Sequence, residues 1–508
     1  LAGLPFVPFD LFDWVSRVTP GSILTVLIDA MVRIIVGLHL GEISHAAKVM
    51  EQSIAIGAMA ALSMLFGAVI AYLVRRSSWS TRRIGLVAGS VLFLIVLIVE
   101  TFRGFPDNPW LGVPWLALLI TGWGLLLAGW IDRVVHPTTT PADGEVYRAS
   151  RRDFLLKIAG GSVAMAAAAW GFGWLLQQQR LGSGAADQPL SEAAPGPAVV
   201  PPSPTPQATP AGGQIEPVPG TRPEVTENES FYRIDINLIS PSVNQTSWRL
   251  TIKGLFDNPR SLSLSDLMAY PSETQPVTLS CISNPIGGDL IGNAYWTGLR
   301  LVDLLKNLGL RPEAKALQIQ ATDGFYESVT MADLLDQRTL LVYGMNGKTL
   351  PMQHGFPLRI VIPNHYGMKQ PKWMTSIEAT EGSGRGYWVE RGWSQEARPQ
   401  VLSIIDTIAK DRVAGGRIPI GGIAWAGDRG IEIVEVQVDN GPWEPAELRA
   451  PPLGLLTWVQ WRYDWPRVAG RHTFRARATD GKGRPQSRQP TDPYPNGATG
   501  YHSITVTI

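Results

Sequence analysis

Thr278-Leu-Ser-Cys281-Ile-Ser-Asn-Pro-Ile-Gly-Gly-Asp289 ends an apolar stretch in polar and turn-forming residues, and it holds the only cysteine of the 508-residue chain. A single thiol forms no intramolecular disulfide, so Cys281 is either packed as a small hydrophobe or reactive, as a metal-binding thiolate. Strand-like and helix-like patterns flank it. Trp248-Arg-Leu-Thr-Ile-Lys253 alternates as a half-buried strand, and Leu301-Val-Asp-Leu-Leu-Lys-Asn-Leu308 has helical apolar spacing that stops before Gly309. Both kinds of segment occur without a repeated strand-helix-strand unit, which predicts an α+β domain over residues 223–396.

Downstream, over 397–508, the pattern becomes short alternating strands. Val434, Val436 and Val438 are interleaved with Glu435 and Gln437, and Asp439-Asn440-Gly441 supplies a turn. Val459, Trp461, Tyr463 and Trp465 alternate in the same way, as do His472, Phe474, Ala476 and Ala478. These strands predict a β-sandwich.

Upstream, the first 180 residues are dominated by apolar runs. Those at about 53–74, 84–102, 110–131 and 155–176 are long enough to cross a hydrocarbon core of about 30 Å as helices, and 21–40 is a further candidate. Residues 1–135 read as an all-α transmembrane region, and 136–180 as a basic segment followed by the last span. Arg75, Arg76, Arg82 and Arg83 crowd one connection, while Arg133, Arg148, Arg151, Arg152 and Lys157 precede the last span. By the positive-inside rule both connections are cytoplasmic, and everything after the last span is extracytoplasmic. Ser150-Arg151-Arg152-Asp153-Phe154-Leu155 before an alanine-rich span resembles a twin-arginine export signal, the route for a domain that folds around a cofactor before it crosses a bacterial cytoplasmic membrane. Residues 181–222, rich in Ala, Gly, Pro and Ser, form a semi-extended tether. A formal net charge of +1 with 17% charged residues gives no sign of a nucleic-acid partner.

Five stretches together carry a family resemblance over about 222–508. They are the cysteine segment continued through Gly292-Asn-Ala-Tyr-Trp-Thr-Gly-Leu-Arg-Leu-Val-Asp-Leu-Leu305, Glu229-Ser-Phe-Tyr-Arg-Ile-Asp235, His354-Gly-Phe-Pro-Leu-Arg359, Asn364-His-Tyr-Gly-Met-Lys-Gln-Pro-Lys-Trp373 and Gly386-Tyr-Trp-Val-Glu-Arg-Gly-Trp393. They resemble the sulfite oxidase family of molybdopterin-dependent oxidoreductases. The resemblance implies a molybdenum bound by a single pyranopterin, with Cys281 as its protein ligand, and an immunoglobulin-like C-terminal module of the kind that often mediates dimerisation. It places Arg359 and Lys372 near the pterin and its phosphate. Tyr232, Arg233, His354, Lys369 and Gln370 belong to the same cofactor-binding motifs. The family's active-site tyrosine falls near Phe325-Tyr326, which makes Tyr326 a candidate catalytic residue, and Asp289 is a further candidate at the metal pocket.

One departure bears on substrate. Sulfite-oxidising members carry arginines shortly after the ligand cysteine, whereas Ile282, Ser283, Asn284, Pro285 and Ile286 follow Cys281 here. The expected activity is therefore two-electron oxygen-atom transfer on an S- or N-oxide or its reduced counterpart, oxidised methionine included, and not standard sulfite oxidation. The alternative is a structural or assembly subunit of a membrane electron-transfer complex that keeps the domain as a scaffold. With one cysteine there is no Cys-x-x-Cys-His and no cysteine-ligated iron–sulfur cluster, and His39, His45 and His136 form no facing pair for a transmembrane haem. Electrons are expected to pass through an external carrier (a cytochrome, a quinone or a partner subunit), in a homodimer or a larger membrane complex.

Overall fold

The computed structural model describes residues 6–38, 40–103, 109–135 and 215–508. The Arg151-Arg152 pair, the expected span at 155–176 and most of the tether lie outside the described residues. Two compact units are present, a helical one made chiefly of residues up to 135 and a β-rich one made chiefly of residues from 240 onward.

Helices α1 (Val7–Val18), α2 (Gly21–Gly37), α3 (Ile43–Arg76), α4 (Thr81–Arg103) and α5 (Pro109–Val135) occupy the N-terminal part. Three stretches are long and apolar enough to span a membrane, Ile43–Arg76, Thr81–Phe102 and Trp110–Arg133, with mean hydropathies of 2.3, 2.5 and 1.9. Each contains one of the runs expected from the sequence. The further candidate at 21–40 is helical as α2, but its 17 residues reach only about 26 Å at 1.5 Å per residue, short of a full crossing. Large apolar side chains such as Leu118 (72% exposed) and Leu126 (70%) point outward, as lipid-facing residues do. Helices α4 and α5 approach backbone to backbone. A Cβ added at Gly85 would lie 2.8 Å from the Gly124 carbonyl oxygen, and one at Gly124 would lie 2.6 Å from the Gly85 oxygen.

In the β-rich unit the strands are β1 (Leu250–Gly254), β2 (Arg260–Leu262), β3 (Ser272–Ser280), β4 (Ile291–Arg300), β5 (Ala316–Ala321), β6 (Tyr326–Thr330), β7 (Leu340–Met345), β8 (Lys348–Thr349), β9 (Arg359–Val361) and β10 (Met374–Thr380). They form one sheet in the order β2-β1-β10-β5-β6, with β1 and β10 parallel, and a second in the order β3-β4-β7-β8, with β9 also paired to β7. The expected strand at Trp248–Lys253 is β1 and its approach, and the Trp248 indole donates to the Met374 carbonyl at 2.9 Å. The α+β domain expected from the sequence is β-rich in the structure. Its helices at Leu264–Met268, Leu301–Asn307 and Met331–Leu334 are short, and the expected helical pattern at 301–308 stops at Gly309, which sits at φ +67°.

Strands β11 (Leu402–Ile408), β12 (Arg417–Trp425), β13 (Ile431–Val438), β14 (Trp443–Pro445), β15 (Glu447–Leu448), β16 (Val459–Pro466), β17 (Arg471–Asp480) and β18 (His502–Thr507) make two antiparallel sheets, β11-β12-β16-β15 and β14-β13-β17-β18. The alternating residues read from the sequence supply the core the two sheets share. Ile418, Ile420, Trp461 and Trp465 from one sheet meet Val434, Val436, Phe474 and Ala476 from the other.

Candidate active site

Cys281 stands one step beyond β3. Ser280 pairs with Ile291 across the β3–β4 ladder, and the Cys281 amide donates to the Leu290 carbonyl at 2.9 Å, so the thiol leaves the sheet at a fixed point. The loop that follows turns back at once, with the Asn284 amide donating to the Cys281 carbonyl (3.2 Å) and the Leu290 amide donating to Asn284 Oδ1 (3.0 Å). Burial pushes the Cys281 thiol pKa up, while the Ser283 hydroxyl, 3.0 Å from Sγ, opposes that shift.

Two buried phenols would feel the charge of a thiolate at Cys281. Tyr232 has its pKa raised by burial and then by Cys281, with Arg359 opposing. Its hydroxyl lies over Gly367, where a Cβ would approach to 2.9 Å. Tyr366 is pushed up to about 12, chiefly by burial, and its oxygen accepts from the Gln400 amide at 3.0 Å. Tyr366 lies inside the Asn364–Trp373 motif, yet residue type alone did not distinguish it from a core aromatic.

Arg359 opens β9 and is only 5% exposed. One Nη donates to the His354 carbonyl (3.1 Å), the guanidinium sits 4.8 Å from the centre of the Trp296 ring, and burial lowers its pKa to about 10. Gly355, at φ +116°, lets Arg359 and Lys372 come together, because a Cβ there would lie 3.0 Å from Arg359 Cβ and 3.1 Å from Lys372 Cβ. Lys372 donates to the Asp235 carboxylate and to the carbonyls of Ile234 (3.2 Å) and Gln353 (3.1 Å), and burial lowers its pKa to about 8 against the pull of Asp235. Arg233 Nε donates to the other Asp235 oxygen at 2.5 Å. His354 Nε2 donates to the Asn228 carbonyl at 2.8 Å. Burial, then Lys372, depresses its pKa to about 3, so the imidazole is neutral at ordinary pH.

Three cations thus gather around one carboxylate, and the excess positive charge is not fully paired. Arg359 Nε and one Nη of Arg233 are buried with no hydrogen-bond partner among the described residues. An anionic cofactor carrying oxygen acceptors, placed beside a single thiolate, fits this donor set. Asp235, which holds Arg233 and Lys372 together, was quoted in the N-terminal motif but not singled out. A buried acid among matched basic residues is the signal that would have found it.

Other expected residues are occupied elsewhere. Lys369 forms a buried ion pair with Glu327 at 2.8 Å. Gln370 uses both ends of its amide on backbone, donating to the His365 carbonyl (3.0 Å) and accepting from the Ile362 amide (3.3 Å). Asp289 accepts from the Ile43 amide at 2.9 Å. Tyr326 donates to Glu390 and packs on Tyr387, with ring centres 5.8 Å apart, while Phe325 lies against the same ring at 5.7 Å. Among the described contacts none joins Lys369, Gln370, Asp289 or Tyr326 to Cys281. A cavity of about 30 Å³ does adjoin Cys281. Asn284, Pro285, Ile286, Tyr366, Ser403 and Gln486 are part of its lining, and no charged side chain among the described residues lines it.

Comparison with known proteins bears on the family of the β-rich unit. A family model described as oxidoreductase molybdopterin binding domain matches residues 237–388. The chain is 32% identical to the uncharacterized oxidoreductase YuiH of Bacillus subtilis, over 31% of this chain and 77% of that one. It is 30% identical to the sulfite oxidase of Arabidopsis thaliana, over 43% of this chain and 68% of the relative. A protein of Azospira oryzae named as a protein-methionine-sulfoxide reductase subunit, YedZ1, is 30% identical over 30% of this chain and 56% of its own length. Among solved structures, the sulfane dehydrogenase SoxCD of Paracoccus pantotrophus matches with a TM-score of 0.50 at 22% identity, over 56% of this chain and 82% of that one, a likeness of fold. A single buried cysteine at a strand exit, an incompletely paired cationic cluster whose Arg359 shares Tyr232 as a neighbour with it, and relatives matched over most of their length lead to one assignment: the chain belongs to the sulfite oxidase family of molybdopterin-binding oxidoreductases.

Proposed function

We propose that this protein is a membrane-anchored molybdenum enzyme that reduces neutral S- or N-oxides, oxidised methionine side chains among them, on the extracytoplasmic side of the membrane, with electrons from an external carrier or partner subunit. The observation that carries the reading is the uncharged lining of the cavity beside Cys281. A doubly negative anion stripped of water needs charged or strongly hydrogen-bonding partners, and Ile282, Ser283, Asn284, Pro285 and Ile286 supply no charge where sulfite-oxidising members carry arginines. The methionine-sulfoxide reductase name of the Azospira relative points the same way.

A molybdenum bound to one pyranopterin supplies two-electron oxygen-atom exchange. The chain's own part is to hold that group and exclude competing anions. Cys281 provides the thiolate, Arg359, Lys372 and Arg233 offer fixed donors to the anionic cofactor, and Tyr232 and neutral His354 complete the wall. Reduction of an S-oxide breaks the S–O bond and consumes two electrons and two protons, leaving a thioether and water. The carrier provides the electrons and solvent the protons. The two antiparallel sheets after about residue 397 support an immunoglobulin-like module as part of the same proposal, and the motif at 150–155 supports export by the twin-arginine route.

Steady-state kinetics with an artificial donor test the reading, using sulfite, dimethyl sulfoxide, methionine sulfoxide and trimethylamine N-oxide, with Cys281→Ser as the control and molybdenum measured in the same preparation. Turnover of the neutral oxides, lost in Cys281→Ser, is expected. Efficient sulfite oxidation at micromolar concentrations overturns the substrate class, and a stably folded protein purified without molybdenum overturns the enzyme.

A further inference from the structure

Asn284 is 7% exposed and lines the cavity beside Cys281. Its orientation is set by the backbone. The Leu290 amide donates to Oδ1 at 3.0 Å, and a flipped amide would set two donors against each other. The NH2 end is therefore free to serve something else. Among the described residues no group accepts from Nδ2, and this nitrogen is not one of the sealed-off polar atoms.

Gln486 and Ser280, which also line this space, are committed. Gln486 donates to the Gly500 carbonyl (2.7 Å) and accepts from the Ala478 amide (3.0 Å). Ser280 turns its hydroxyl to the Cys281 and Leu290 carbonyls at 3.2 and 3.4 Å, the Tyr366 oxygen accepts from the Gln400 amide, and the Ser403 hydroxyl is buried with no partner among the described residues. Pro285 has no N–H and Ile286 is apolar, so this segment offers the cavity one pre-oriented neutral donor, three residues from the thiolate.

We propose that Asn284 is a specificity-determining residue whose Nδ2 donates to the oxygen of a neutral oxide standing beside Cys281. The inference rests on the neutral-oxide reading above and adds the group that recognises the oxygen. A neutral amide suits a neutral acceptor. An S- or N-oxide oxygen is a strong acceptor without net charge, and a donor held in place before the ligand arrives needs no reordering to meet it.

The test uses the full-length, cofactor-loaded protein and the variant Asn284→Asp, which keeps an acceptor for the Leu290 amide but has no donor. Dimethyl sulfone, a neutral S–O compound, serves as a binding probe by calorimetry, alongside kcat/KM for dimethyl sulfoxide per bound molybdenum. The expected result is about 10-fold weaker sulfone binding and roughly 10²-fold lower kcat/KM. If Asn284→Asp fails to fold or load, Asn284→Ser, an uncharged donor of shorter reach, is expected to show the same losses. Wild-type values in a loaded variant overturn the role of Asn284 while leaving the neutral-oxide reading intact. A wild-type protein that neither binds the sulfone nor reduces the sulfoxide overturns that reading, and this inference with it.

Discussion

His354 is a neutral imidazole held among cations, and that makes it a pH-dependent liability. An unfolded histidine titrates near 6.5, whereas in the folded protein burial and Lys372 lower the value to about 3. Between those values the unfolded chain binds more protons, so stability falls as pH drops from about 6.5 toward about 3, by roughly a few kcal/mol in all. His502, lowered to about 4 chiefly by burial, acts in the same direction, so the difference between wild type and His354→Gln isolates the His354 share. Denaturant midpoints at pH 7 and pH 5 are expected to separate less in the variant, and an equal separation would assign the titration to other groups. At this scale the motifs made Cys281, Arg359, Lys372 and His354 legible, because residue type and spacing carry their chemistry. Partners were not legible. Asp235 stands 137 residues from Lys372, and nothing local in the sequence says that a carboxylate waits for that lysine.

The turn Gly367–Lys369 and the residues around it are held by buried polar bonds as well as by the apolar packing of Tyr366 and Met368. Lys369 is anchored on Glu327 with side-chain exposures of 3% and 0%, and Gln370 braces two backbone groups. Removing one partner of such a pair leaves a buried charge alone. Lys369→Met is therefore expected to cost about 3–5 kcal/mol, whereas Lys369→Met combined with Glu327→Leu recovers much of the loss because neither charge remains. A double-mutant cycle by chemical denaturation checks this, and a single variant as stable as wild type would mean that the pair does not hold the turn. Strand alternation in 431–478 was readable because period-two burial survives in the sequence. The helix expected over 301–308 is present as Leu301–Asn307, and Gly309, at φ +67°, marks its end in the sequence as in the fold.

At the scale of the whole molecule, sidedness is a proposal that rests on the placement of basic residues. Arg75 and Arg76 close α3, while Arg82 and Arg83 open α4, and on the positive-inside rule we propose that the connection between them is cytoplasmic. On that proposal α4 and α5 would cross and return, and the span expected at 155–176, which lies outside the described residues, would carry the oxidoreductase domain out. Replacing Arg151 and Arg152 by Lys is expected to leave α3 to α5 inserted and to strand that domain inside. Protease added to intact spheroplasts should then no longer reach it, and continued digestion would point to another route. The glycine contact between α4 and α5 has a consequence of its own. Two helices that meet through bare backbone freeze almost no rotamers when they associate, so the hairpin joins at little entropic cost, while a single methyl group at Gly85 or Gly124 would act as a wedge and prise it open.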